Sequence, residues 1–407
     1  MPAATTAPPT GTSTGPSVFD ALALATHAAD ELLLGTARDT HVAVADRVHA
    51  VVGLGAGPFG LPAELLHRGI AAGVYSSIGL ALKGSSKGFD RLASAGLGPR
   101  LEDDPRGRFL TAAVNGLIGD ELLRDRPQLA IPMAVRHEQR DVELYDDGSA
   151  VAAAFPAATG RIVVLLHGLC ESESVWGIHR ERTGTTYGEA LAARGWTPVY
   201  LRTNTGLPVR ENGAALASLM RRLVEVWPVE VERIALVGHS MGGLVMRSAC
   251  AVMAAPDVAS GVPAGQWTDL VTDVVTLATP HRGAPLAWGV GHGSRLMALL
   301  PETSAFGRIL DKRSEGVRDL VDGLADDVPP LPHGRYRLVA ATLTGSARHP
   351  VGNLLGDLLV RPRSAAGRDR RGRELFPDAD VLHVGRADHF GIANHPRVLA
   401  ALLGWLS

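Results

Sequence analysis

Two cysteines in 407 residues, Cys170 and Cys250, are too few for a disulfide framework and lack zinc-site spacing, so the chain suits a reducing compartment. Charge of either sign is not in excess. With 40 Lys and Arg against 42 Asp and Glu, the net charge of -2 makes no long-range field that would draw in nucleic acid or an anionic membrane. Long apolar runs are also missing: Val48 to Ala63 is interrupted by glycines and prolines, and Gly69 to Leu82 falls short of the roughly 18 to 20 residues that cross a bilayer. A membrane-spanning protein is set aside. Residues 1–17 carry no basic start followed by an apolar core, so their Thr, Pro, Ser and Gly read as a disordered tail rather than a secretory signal, and a cytoplasmic location is expected.

What is present divides at about Ile131. Residues 18–130 follow a helical pattern, with Leu66, Ile70, Val74, Ile78 and Leu82 as one apolar stripe and Leu110, Val114, Leu117 and Ile118 as another. Each stripe asks for a partner, and the expectation is a helical segment packed on the core that follows. Peripheral attachment to lipid through the 62–82 helix is the alternative. Ala134 to Tyr145 and Ala150 to Phe155, separated by Asp146-Asp147-Gly148, are expected to form an opening β-hairpin.

From Arg161 strands and helices alternate, which predicts a mostly parallel sheet flanked by helices on both faces. The expected strands are Ile162 to Leu166, Thr197 to Leu201, Ile234 to Val237, Val271 to Ala278, Arg337 to Ala341 and Val381 to Val384. The expected helices are Tyr187 to Ala193, Gly213 to Val226, Gly242 to Ala254 and Val398 to Leu406. A helical insertion at about 285–330 has the character of a lid, with a plain pair of surface helices as the alternative. The arginine-rich run Arg361 to Arg373 reads as a solvated loop.

One apolar strand runs straight into Gly238-His239-Ser240-Met241-Gly242 and then into a helical pattern. A serine hydroxyl is a poor nucleophile unless a sharp strand-to-helix turn presents it to a base, and glycines on either side leave room for that turn. Ser240 is therefore the candidate nucleophile. One strand-helix-strand unit upstream, a second buried strand ends in His167-Gly168-Leu169. Backbone N–H groups aimed at a carbonyl oxygen stabilise the negative charge of acyl transfer, and those of Leu169 and Met241 are the expected pair. His167 and His239 read as structural neighbours of these turns.

A base is expected after the last strand of such a sheet, and His389 occupies that loop, with His395 as its rival at the start of the final helix. The acid must follow an earlier strand. Asp357 fits that order, although the stretch from Thr342 to Leu355 is long for such a loop, and Asp378 and Asp380 stay open as alternatives.

Taken together, His167-Gly168-Leu169-Cys170 with Trp176, Gly238 to Gly243, and Ala278-Thr279-Pro280-His281-Arg282-Gly283 resemble α/β-hydrolase esterases. They are similar to the catalytic domain of the GPI inositol-deacylase group and to bacterial triacylglycerol lipases. The resemblance covers about Arg161 to Ser407 and implies the α/β-hydrolase fold for residues 131–407, an ester substrate with a hydrophobic acyl chain, and no metal or cofactor. It also implies that Gly356 to Val360 carries the acid, as in the Gly-Asp-Gly-Leu-Val segment of such lipases, although Leu358 stands where those have a second glycine. Oligomeric state is not readable from the chain. A non-catalytic hydrolase fold acting as a binding module is the reading from another class, and it predicts a missing nucleophile, base or oxyanion glycine.

Overall fold

The computed structural model describes residues 16–28, 61–254, 267–284 and 314–407, except 325–326, 347–348, 351–352, 354–355 and 370. Two compact units divide between Arg108 and Phe109, so residues 109–130, read above with the helical segment, fall in the second. Residues 1–15 and most of the 285–330 insertion lie outside the described residues.

The first unit contains helices α1 (Val18–Ala28) and α2 (Leu61–Ser94). The faces that meet are lined by small residues. Ala23 and Ser86 are buried, the Ser86 hydroxyl donates to the Ala23 carbonyl at 3.0 Å, and Phe19 stacks on Phe89 with ring centroids 6.1 Å apart. This corrects the expected stripe: Val74 and Ile78 are exposed, and Gly79 and Ser86 are the buried positions among the α2 residues whose burial is described. Among the described residues no helix is long and apolar enough to cross a membrane.

The second unit holds one eight-stranded sheet in the order β2-β1-β4-β3-β5-β6-β7-β8. Its strands are β1 (Ala134–His137), β2 (Arg140–Val142), β3 (Arg161–Leu166), β4 (Thr197–Arg202), β5 (Arg233–His239), β6 (Val271–Leu277), β7 (Arg335–Thr342) and β8 (Asp380–Gly385). From β4 to β8 all neighbours are parallel, and β1 is antiparallel to β2 and to β4. Parallel strands are covered on both faces and so read as unbroken apolar runs. In β3, Ile162, Val164 and Leu166 enter one core with Leu216, Met220, Leu244 and Met246, while Val163 and Leu165 enter the other with Leu191, Trp196 and Leu402.

The opening hairpin is present, but its turn is Glu138-Gln139, both with φ in the left-handed region, rather than Asp146 to Gly148. The expected second strand is instead a helix, Ser149–Ala154. Gly148 is its N-cap with φ +64°, and the Asp147 carboxylate before it accepts from the Ser149 amide at 3.0 Å, so an alanine-rich run follows its helix propensity. The arginine-rich run is only partly solvated: Pro362, Ser364 and Ala365 are buried, and the Ser364 hydroxyl links the Arg282 amide to the Gly283 carbonyl.

The apolar stripe of α3 (Pro105–Asp125) also faces the other way from expectation, with Leu110 and Leu117 exposed. Gly116 and Gly119 turn inward, where an added Cβ would lie 2.4 Å from the Cys170 Sγ and 1.8 Å from the Asn204 Oδ1. Closeness of approach decides the face. Asn115 secures it, donating to the Thr111 and Leu129 carbonyls and accepting from the Ile131 amide at 2.8 Å. Replacing Asn115 by Ala leaves a buried donor and a buried acceptor without partners, so urea unfolding should show a loss of about 3 kcal/mol, while Leu117→Ser should stay within about 0.5 kcal/mol.

Candidate active site

Ser240 stands between the end of β5 and the start of α4 (Met241–Ala254), with φ +51° and its amide bonded to the Leu277 carbonyl at 2.8 Å. A β-carbon in the left-handed region costs on the order of 1 to 2 kcal/mol, and the surrounding strands hold it there. The glycines of the motif are forced by proximity. A Cβ on Gly242 would sit 2.4 Å from the Leu166 carbonyl oxygen, and one on Gly238 would sit 2.5 Å from the Gly243 nitrogen. Gly168 abuts Ser240 itself, since a Cβ there would meet the Ser240 Cβ at 2.8 Å.

Asp357 and His389 meet although 32 residues separate them. The Asp357 Oδ2 accepts from the His389 Nδ1 at 2.9 Å, and the His389 amide donates to the Asp357 carbonyl at 3.0 Å. The other carboxylate oxygen accepts from the Leu359 and Val360 amides at 3.0 and 2.7 Å, and both side chains are buried. The long stretch after β7 costs the site nothing, because the Leu343 amide bonds to the Gly356 carbonyl and returns the chain to the strand end. Leu358 adopts φ +87°, the backbone conformation a glycine would take, with its side chain exposed. The departure from the lipase motif thus leaves the turn intact.

The rival groups are engaged elsewhere. His395 caps α5 (Pro396–Trp405), accepting from the Arg397 amide at 3.2 Å. His383 shares a hydrogen bond with Thr342 Oγ1 at 2.8 Å, and His333 bonds to the Thr268 carbonyl. His281 is enclosed beside Thr276 and edge-on to Phe376, where burial and the nearby Arg247 push its pKa well below the usual imidazole range. Asp378 is exposed, Asp380 pairs with Arg337, and Asp388 is an exposed carboxylate that accepts from the Gly391 amide at 2.6 Å.

His167 is buried, with Nδ1 bonded to the Gly168 carbonyl at 2.9 Å and Nε2 accepting from the Thr203 amide at 3.3 Å. Burial lowers its pKa, in keeping with a neutral ring that shapes the loop. Leu169 follows Gly168 on the loop beside Ser240. The Met241 amide is the first of its helix, where an N–H has no intrahelical acceptor.

Sequence reasoning passed over Glu171. One of its carboxylate oxygens accepts from the Gly168 amide at 2.6 Å and lies 2.9 Å from the His239 Nδ1, while the His239 Nε2 faces the His389 carbonyl at 3.1 Å. The only signal was a carboxylate three residues beyond the glycine of an otherwise uncharged turn.

The sheet order, the strained serine at the strand-to-helix turn and the glycine-lined loop beside it define an α/β-hydrolase fold. Residues 157–304 match the family described as "Putative serine esterase (DUF676)", a span that includes β3 to β6 and Ser240 and ends before Asp357 and His389. The chain is a carboxylic ester hydrolase. Among solved structures it is similar to a lipase of Bacillus licheniformis in its mature form, at 22% identity and TM-score 0.42, covering 61% of this chain and 92% of that one. Lipase 1 of Pelosinus fermentans is similar at 15% identity and TM-score 0.38, covering 61% and 98%. A Bacillus subtilis carboxylesterase is similar at 13% identity and TM-score 0.34, covering 61% and 84%.

Proposed function

We propose that Ser240, His389 and Asp357 form the catalytic triad of an esterase acting on substrates with a hydrophobic acyl chain. The observation that carries this reading is the buried Asp357–His389 pair, whose Nδ1 contact at 2.9 Å leaves Nε2 as the nitrogen available to the serine. His389 Nε2 takes the proton of the Ser240 hydroxyl as Oγ attacks the ester carbonyl. The carbonyl oxygen takes the negative charge between the Leu169 and Met241 amides. Collapse breaks the ester C–O bond, and the imidazolium gives its proton to the departing alcohol. Water, deprotonated by the same nitrogen, then releases the acid from the acyl-enzyme. No step calls for a metal or cofactor.

Support for an apolar substrate comes from the rim next to the acid and base. Leu358, Leu359 and Phe390 are all exposed, and Phe390, with 46% of its surface free, lies edge-on to His389 at 5.6 Å between ring centroids. Large exposed apolar side chains gathered at a site mark a surface that contacts another apolar group. Rates on p-nitrophenyl esters from acetyl to palmitoyl test this. The optimum should lie at butyryl or longer, and Phe390→Ser should reduce kcat/KM for the longer esters about tenfold, the worth of one lost apolar contact of roughly 1.4 kcal/mol, while acetyl ester rates change less than twofold. An acetyl optimum unaffected by Phe390→Ser would reject the apolar substrate, and a fluorophosphonate adduct mapped away from Ser240 would reject the nucleophile.

A further inference from the structure

Three loops must hold their places around Ser240: the oxyanion loop after β3, the elbow itself and the base loop after β8. One buried carboxylate reaches two of them directly. Glu171 Oε2 takes the Gly168 amide at 2.6 Å and the His239 Nδ1 at 2.9 Å, and His239 continues to the carbonyl of His389 at 3.1 Å. We infer that Glu171 is a positioning residue that ties the oxyanion loop to the base loop through His239, an assignment that rests on the triad proposed above.

The proton count follows from the partners. A carboxylate and a carbonyl are both acceptors only, so both His239 nitrogens donate when the ring is an imidazolium. Burial opposes that charge, but the adjacent Glu171 carboxylate and the His389 carbonyl outweigh it and raise the His239 pKa. Burial likewise opposes the Glu171 charge, and His239 with the Gly168 amide brings its pKa down. The charged and titratable groups facing His239 are Glu171, His389 and, beyond it, Asp357, while His167 lies on the far side of Glu171. Breaking the pair leaves a buried ion without its counter-ion and releases two main-chain anchors at once. Displacements of about 1 Å around a reacting centre can cost on the order of a hundredfold in rate.

The test compares wild type, Glu171→Gln, His239→Gln and Ser240→Ala, each full length, on p-nitrophenyl butyrate across pH, with folding followed by circular dichroism. Glu171→Gln should lower kcat by about ten- to a hundredfold with KM within about threefold, since alignment in the transition state rather than ground-state binding is lost. His239→Gln exchanges the ring 4.9 Å from His389 for an uncharged amide and leaves the Glu171 carboxylate without its partner, so the acid limb of kcat/KM should move to higher pH. That shift is a response that loss of packing alone does not produce, and it carries the test should Glu171→Gln fail to fold. Folded variants with kcat within twofold of wild type and an unmoved acid limb, alongside an inactive Ser240→Ala, would overturn the positioning role alone. A Ser240→Ala protein at the wild-type rate would overturn both readings.

Discussion

Ser240→Ala should lower kcat for p-nitrophenyl butyrate by about ten-thousandfold or more, with circular dichroism and urea midpoint close to wild type. The substitution deletes one oxygen. The Cβ that lies against Gly168 remains, and the amide that bonds to Leu277 is unaffected, so the elbow has no reason to relax. In the proposed mechanism what disappears is the atom that forms the acyl-enzyme, and the remaining rate above water would come from the Leu169 and Met241 amides and from binding. No neighbouring nucleophile is poised to substitute. Cys170 lies on the adjacent loop, but burial pushes its thiol up to about 11, so it stays protonated at neutral pH. A variant that kept one-tenth of the wild-type rate would place the nucleophile elsewhere.

How far the fold was legible depended on how many physical demands met at one residue. The interior strands such as Ile162 to Leu166 and Ile234 to Val237 were readable because a parallel strand covered on both faces is apolar along its length. The turn at 138–139 was not, since Glu-Gln takes left-handed φ without the Asn or Gly that usually announces it. Helices α2 and α3 misled for a related reason. Val74, Ile78, Leu110 and Leu117 face out while small residues, Gly79 and Ser86 in α2 and Gly116 and Gly119 in α3, are buried, and small residues carry no hydropathy signal. Around the candidate site, Ser240 and Gly168 were conspicuous because backbone crowding requires glycine at named places. Glu171 was hidden because its partners, the amide of Gly168 and the ring of His239, are joined only by the folding of β3 beside β5. The distance of Asp357 from the end of its strand counted against it in sequence, and a single hydrogen bond, Leu343 to Gly356, accounts for the difference.

Asp357 supplies the second large effect, and asparagine is the informative replacement. Its side-chain oxygen can still accept from the Leu359 and Val360 amides, so the turn that bears it should persist. The group facing His389 changes from an acceptor to an NH2 donor. The imidazole then keeps its proton on Nε2 and offers Nδ1 as acceptor to the new amide, which is the wrong tautomer for taking a proton from Ser240. We therefore expect kcat to fall by about a thousandfold to ten-thousandfold in Asp357→Asn at neutral pH, with KM little changed. Asp378→Asn and Asp380→Asn are the controls, because the first residue is exposed and the second is held by Arg337, and each should retain more than half of the wild-type rate. The reverse pattern, with Asp357→Asn active and either control inactive, would move the acid to the start of β8 and leave the Asp357–His389 bond as a structural tie between two loops.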